Sequence, residues 1–406
     1  MTQHAGGTHE GAQALHWQWP LDPDILFLNH GSFGACPIPV LQAQLRVLER
    51  LERNPVGFLT REFEPQLDEA RRALAEFVEA PAEDLVFVPN ATTGVNTVLR
   101  SLPLDRGDEI LVTSHEYNAC RNALDFIAGL AGARVVTVSI PFPIAGPELI
   151  VSAVLERVTP RTRLLLIDHV TSPTALILPV EPLVRELNAR GIDTLVDGAH
   201  GPGMLPLQLQ ALGAANYTGN CHKWLCAPKG AGFLYARPDR QVGLRPLVIS
   251  HGANATRRDR SRFRLEFDWT GTQDPAPYLC VPVAIRVLGS LLPGGWNALR
   301  ARNHALAVEG RRILCEALGI APPCPEEMLG SMAALPLETG EAAAPADGVP
   351  VDDPLERALF DRYRIVVPVF RWPDPPARIV RISAQAYNRA EQYDRLARAL
   401  RDELGR

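Results

Sequence analysis

Short apolar runs, rich in β-branched residues, recur through the middle of the chain at Leu85–Val88, Glu109–Thr113, Arg134–Ile140, Arg163–Asp168, Thr194–Asp197 and Gly232–Ala236, mostly with helix-length segments between them. Runs that are near-continuous rather than alternating mark strands buried on both faces, and intervening helices are the crossovers of a largely parallel sheet. The pattern predicts an α/β fold. Ligands of such sheets gather at the carboxyl ends of the strands, so the residues after each run are the ones to read for chemistry.

The flanks have a different rhythm. Before the alternation, helical spacing predicts a helix over Pro39–Arg53, stopped by Arg53-Asn54-Pro55, and a second beginning near Glu64 with Leu67, Ala70, Leu74 and Phe77 on one face. Beyond Leu292, helices around Trp296–Leu318 lead into an acidic, alanine- and proline-rich stretch, Leu337–Pro354, whose composition predicts a surface excursion. Strands return at Tyr363–Phe370 and Ala377–Ser383.

Bulk composition narrows the classes. At 406 residues there is room for one large domain and a smaller one. A net charge of −5 speaks against a nucleic-acid surface. Seven scattered cysteines with no C-x-x-C pair read as reduced thiols of a cytoplasmic protein, not as a disulfide framework or zinc site. The longest apolar runs, such as Leu164–Ile167, are too short to span a bilayer. The first fifteen or so residues have neither a basic nor an apolar signal region and read as a disordered polar tail.

Among 41 lysines and arginines, only Lys223 and Lys229 are lysines. Arginine replaces lysine for surface charge but stays protonated and cannot act as a nucleophilic amine. A lysine that survives such exchange is either left by chance or kept for chemistry, and its surroundings decide. Lys229 lies in a turn among Pro228, Gly230 and Gly232. Lys223 follows Asn220-Cys221-His222, downstream of a strand ending in Asp197-Gly198-Ala199-His200. A carboxylate after three apolar residues is costly to bury without a cationic partner.

Three other strand ends carry polar clusters. After Val88, Pro89-Asn90-Ala91-Thr92-Thr93-Gly94 opens a helix. It reads either as an anion cradle or as a helix cap. After Thr113 comes Ser114-His115-Glu116-Tyr117-Asn118, with an aromatic able to stack on a flat ring, and after Ile167 comes Asp168-His169-Val170-Thr171-Ser172. Near the start, Asn29-His30-Gly31-Ser32-Phe33-Gly34 reads equally as a ligand loop or an ordinary turn. An anion cradle, a stacking aromatic, a buried acid and a nucleophilic lysine are the parts that hold a phosphorylated pyridine aldehyde.

These residues resemble the pyridoxal-phosphate enzymes of aminotransferase class V, fold type I, over most of the chain. The most specific signature is D-x-A-H at Asp197–His200 followed by His222-Lys223 and A-P-K-G-x-G-F-L. The resemblance implies that Lys223 bonds the cofactor and shuttles the proton, and that Asp197 pairs with the pyridine nitrogen. It puts Thr92, Thr93, Asn220 and His222 at the phosphate, Tyr117 on the ring, Ser172 near the ring hydroxyl and His200 framing the site. Arg381 resembles the clamp for the substrate α-carboxylate, a task suited to a bidentate guanidinium, although by itself it could be one more arginine on a strand edge. Asn29 and His30 join it as substrate-binding residues. Gly271-Thr272 resembles a segment that reaches the phosphate of a second subunit, which implies a homodimer. The implied organisation is a tail at residues 1–20, a segment at 21–60 packing on the small domain, a large cofactor-binding domain at 61–292 with a mostly parallel, seven-stranded type of sheet, and a small α/β domain at 293–406.

Within this class, a cysteine desulfurase needs a nucleophilic thiol shortly before the carboxylate clamp, and Val366–Arg381 contains no cysteine. The segments NHGSFG, RNPVGF, HEYNA, VPVFRW and RISAQAYN look most like the isopenicillin N epimerase-like subgroup. The resemblance implies epimerisation or C–S cleavage of an amino acid or an amino-acid-containing small molecule. Amino-group transfer to a keto acid is the alternative. A scaffold that keeps the cofactor pocket only for binding or regulation is the alternative of another class. Tyr117, His30 and His200 are the candidate second proton carriers.

Overall fold

The computed structural model describes residues 18–337, 353–373 and 377–405. Twelve strands are labelled along these residues: β1 (Leu26–Phe27), β2 (Leu85–Val88), β3 (Glu109–Thr113), β4 (Arg134–Val138), β5 (Thr162–Asp168), β6 (Asp193–Gly198), β7 (Asn216–Asn220), β8 (Gly232–Ala236), β9 (Met332–Leu337), β10 (Ile365–Val366), β11 (Val369–Arg371) and β12 (Arg378–Ser383). A seven-stranded sheet runs in the order β2-β8-β7-β6-β5-β3-β4, and β8 alone runs against the rest. β2, β3 and β8 are buried at every residue, as their apolar runs require, and so is β7 although it reads Asn-Tyr-Thr-Gly-Asn. The expected α/β fold with a mostly parallel sheet is what forms.

A three-stranded antiparallel sheet, β11-β12-β9, lies towards the other end of the chain. The long helix Gly295–Leu318 and the final helix Ala390–Leu404 pack on each other, and the long helix also meets β9 and β12. The start of the chain reaches this region: β1 pairs in parallel with β10, Leu26 opposite Ile365. Among the described residues, no helix is long and apolar enough to cross a membrane.

The flanks differ from expectation in their details. The first helix, Ile38–Arg53, stops at Asn54 as expected, with φ −158° and ψ 78°. The Asn54 side chain, however, accepts from Gly57 N and restarts the chain through Pro55–Gly57, and a π-helical turn at Phe58–Glu62 runs on into the helix Phe63–Phe77. The expected strand Tyr363–Phe370 is divided. Tyr363 ends a helix, Arg364 turns at φ 57°, and Pro368, which has no N–H to give a ladder, separates β10 from β11. β9, whose alanines and proline have low strand propensity, is formed by pairing with β12 along all six residues. Most of the tail at 1–20 and of the excursion at Leu337–Pro354 falls at 1–17 and 338–352, outside the described residues.

Candidate active site

The carboxyl ends of β5, β6 and β7 are adjacent, and this brings the acid of one strand to the lysine of another. Asp197 is the penultimate residue of β6, is 2% exposed, and accepts from Ala199 N at 2.9 Å on Oδ1 and from the Cys120 thiol at 3.1 Å on Oδ2. Burial raises its pKa, against the opposing pull of Cys120, Ala199 and Lys223. Lys223 follows β7, and its Nζ lies 3.1 Å from His200 Nε2. Burial and the nearby Arg381 lower the Lys223 pKa to about 7, with Asp197 and Asp168 acting in the other direction.

The protonation of this contact follows from its far side. Trp224 Nε1, which can only donate, is 3.2 Å from His200 Nδ1. Nδ1 is therefore the acceptor, and the proton of a neutral imidazole sits on Nε2, facing Lys223. Burial and then Lys223 hold His200 well below its usual pKa, so the ring is neutral. An Nε2–H facing Nζ needs a lone pair on the amine, and a lysine with a pKa near 7 has one in about half of the molecules at neutral pH. Lys229, the rival, is exposed and gives its Nζ to the Gly34 carbonyl at 3.0 Å.

Arg381, on β12, reaches the site from the three-stranded sheet. Its Nη1 donates to the Ser172 carbonyl at 2.6 Å, its Nη2 to Ser32 Oγ at 2.9 Å and Asn29 Oδ1 at 3.3 Å, and its guanidinium lies 5.0 Å from the Phe370 ring centre. Burial lowers its pKa to about 10, so it stays charged. Asn29, Ser172 and Arg381 thus come together. Ser172 enters as a partner of Arg381. Ser32 was not singled out, although it stands inside the NHGSFG segment.

His30, expected at the substrate and as a proton carrier, is placed otherwise. It is fully buried, with Nδ1 2.8 Å from the Tyr387 hydroxyl and Nε2 3.1 Å from the Lys223 carbonyl and 3.2 Å from Gln385 Nε2. Burial lowers its pKa to about 3. Both ring nitrogens are occupied by protein groups, so His30 braces the backbone of Lys223 and has no nitrogen left for a substrate. Gly34, at φ 70°, presses on the same segment: a Cβ there would stand 2.1 Å from the His222 carbonyl oxygen.

At the start of the helix Ala91–Ser101, Asn90 Oδ1 accepts from both the N–H and the hydroxyl of Thr93, at 2.9 and 3.1 Å, and Asn220 Oδ1 accepts from Ala91 N at 2.9 Å. Asn90 is thus a cap, and Asn220 ties this helix to the end of β7. Thr92 lies in the first turn beside them. His222 meets the Ala231 carbonyl at 3.3 Å, and burial lowers its pKa to about 4. Gly94 sits so close to β7 that a Cβ would stand 2.0 Å from Thr218 Oγ1. Tyr117 precedes the helix Asn118–Ala131 and is 45% exposed. Thr272 and Thr93 line one cavity of about 220 Å³.

Two acids received no role from the sequence, Glu116 and Asp168. Asp168 lies in direct register with Asp197 across β5 and β6. A Glu116 oxygen, the Cys120 sulfur and an Asp197 oxygen all lie within 4.8 Å of one another. The signal existed for Asp168, an acid closing an apolar run like Asp197, but its register with Asp197 could not be read from the sequence.

A family model described as aminotransferase class V matches residues 33–289. The chain is 37% identical over 399 residues to isopenicillin N epimerase of Amycolatopsis lactamdurans, covering 95% of this chain and 96% of that one. It is 32% identical to a probable chloroplastic L-cysteine desulfhydrase of Arabidopsis thaliana, covering 93% and 83%. A cysteine desulfurase from Escherichia coli shares the fold with a TM-score of 0.76 at 21% identity, over 97% of this chain and 98% of that one. A cystine C–S lyase solved with cysteine persulfide does so with a TM-score of 0.77 at 21% identity, over 94% and 98%.

Proposed function

Because the chain belongs to the class V aminotransferase family of pyridoxal-phosphate enzymes, we propose that it removes the Cα proton of an amino acid or amino-acid-containing small molecule and returns a proton to the opposite face, an epimerisation. The observation that carries this reading is the Trp224–His200–Lys223 relay, which favours the neutral form of a buried amine. A neutral amine is both the nucleophile that can hold an aldehyde cofactor and the base that can take a proton.

The donor set fits the cofactor. A buried carboxylate, Asp197, suits a protonated ring nitrogen; with Ala91 N–H given to Asn220 and the Thr93 donors given to Asn90, Thr92 in the first helical turn, the Asn220 amide and His222 are the groups that would offer donors to a phosphate. Pyridoxal phosphate, when bound, supplies an electron sink for negative charge at Cα. In this reading Lys223 holds the cofactor and takes the proton, Asp197 keeps the ring nitrogen charged, Thr92, Asn220 and His222 hold the phosphate beside Thr93, and Tyr117 stacks on the ring. Arg381, steadied by Asn29, Ser32 and Ser172, takes the substrate carboxylate. Thr272 reaches the phosphate of a second subunit in a homodimer. The 43–59% exposure of Leu247, Val248 and Ile249 and the 73% exposure of Phe33 support such a dimer. With His30 sealed and His200 committed to Lys223, Tyr117 is the remaining candidate for the second proton carrier.

A second reading, C–S cleavage, shares the first proton transfer and differs in expelling a β-sulfur group, and the desulfhydrase relatives favour it. A persulfide-forming desulfurase route is disfavoured, because all seven cysteines are buried. Borohydride reduction of the purified protein followed by peptide mapping should place a pyridoxyl adduct on Lys223; an adduct on Lys229, or none, would overturn the assignment. Incubation of candidate amino acids in deuterated water separates the reactions. Epimerisation gives α-deuterium with inversion, whereas C–S cleavage gives keto acid and released sulfur.

A further inference from the structure

The Glu116–Asp168–Asp197 cluster carries more acid than its surroundings can neutralise. Asp168 is 3% exposed and shares one sheet face with Asp197, one strand spacing away. Asp168 Oδ2 and both Glu116 oxygens are buried without a well-formed hydrogen bond from an N–H or hydroxyl donor. Asp197, by contrast, has two donors. The groups facing Glu116 are Asp168 on β5, Asp197 on β6, and Cys120 and Arg121 on the helix Asn118–Ala131, while Lys223 acts on the two aspartates from beyond β7. The cation acting on Glu116 is Arg121, already paired with Asp125, and the one acting on the two aspartates is Lys223, whose own pKa is lowered to about 7.

Two like charges this close in a dry site do not both persist. A hydrogen bond between the Glu116 and Asp168 carboxyls exists only if one of the two holds a proton. Burial, then Asp168 and Asp197, push Glu116 well above the ordinary carboxyl range. Asp197 has two donors suited to a carboxylate, whereas only the Tyr117 backbone acts on Glu116 in that way.

We infer that Glu116 and Asp168 form a carboxyl pair that retains one proton at neutral pH beside Asp197, so that Asp197 stays the ionised member turned to the cofactor. Both are positioning residues that act through Asp197. The effect on the cofactor rests on the role proposed for Asp197; the proton itself belongs to the protein without cofactor and is tested there.

Infrared difference spectra of cofactor-free wild type against Glu116→Gln at neutral pH should show the C=O stretch of a protonated carboxyl in the wild type alone. A difference showing only carboxylate bands would overturn the pair. Gln is a neutral isostere, and denaturant unfolding of both proteins supplies a second reading. Glu116 in the folded state keeps a proton that the unfolded chain releases above about 4.5. Wild-type stability therefore falls relative to Glu116→Gln as pH rises from there to neutrality, by up to about tenfold in the unfolding constant per pH unit. A pH-independent ratio would overturn the inference. With pyridoxal phosphate bound, the wild-type absorption spectrum should change at alkaline pH as the pair loses its proton, and the Glu116→Gln spectrum should not. Identical titrations would overturn the link to Asp197, whereas failure of both proteins to bind pyridoxal phosphate would overturn the proposed function and leave the infrared result to stand on its own.

Discussion

Two regions of this molecule bury acids in opposite ways. Between the helix Phe63–Phe77 and the short helix Arg262–Phe267, Arg71 is fully buried and donates to Asp268 at 2.6 Å and to the Leu85 carbonyl at 2.7 Å. Arg260 holds both oxygens of Asp68 at 2.8 and 2.7 Å, and Arg264 joins Asp68 to Glu83. Burial alone would raise the Asp68 pKa, but the three arginines hold it below the usual carboxylate value, while the more deeply buried Asp268 is still raised by burial against the pull of Arg71, Arg264 and Arg260. At the strand ends, Glu116, Asp168 and Asp197 are all pushed upward, by burial first. One region meets the cost of burial with three permanent cations in direct contact, the other chiefly with a retained proton and a titrating amine. A fixed charge makes a brace; a movable proton makes a site that can respond to what binds in it.

Exchanging the solutions tests the contrast. The largest effect is expected from Lys223→Arg, which sets a permanent cation in the acid cluster and removes the base. Turnover should fall by at least about 10²–10⁴-fold, measured as initial rate on whichever substrate the deuterium experiment identifies. Arg71→Met should cost about 3 kcal/mol in denaturant unfolding, because it strips the closest partner from Asp268, which then keeps only Arg260 and Arg264 at 3.5 Å. Arg50→Ala removes an ion pair of the same 2.6 Å length, with Glu62, but both side chains there are about half exposed. It should change stability by less than about 1 kcal/mol. If Arg50 mattered as much as Arg71, burial would not be what separates the two kinds of pair.

What was legible in the sequence follows from range. Strands buried on both faces announce themselves locally, and β2, β3 and β8 begin and end where their apolar runs do. β9 did not, because its residues are strand-like only in the company of β12. In the site, the lysine and the acid of β6 stand out by composition and by their place after a run. The brace from His30 to Lys223 spans 193 positions, and the Asp168–Asp197 adjacency depends on strand register. Neither leaves a trace in local pattern.

The brace on Lys223 has a consequence for how the protein is made. The Lys223 carbonyl is held by His30, whose other nitrogen meets Tyr387, and β1 just before His30 pairs with β10. The reactive amine is thus carried by the middle of the chain and clamped by both flanks. A ribosome-bound chain that has not yet exposed residues beyond Tyr387 holds its lysine without the clamp. A segment synthesised well after Lys223 is thereby needed before the lysine is held in place.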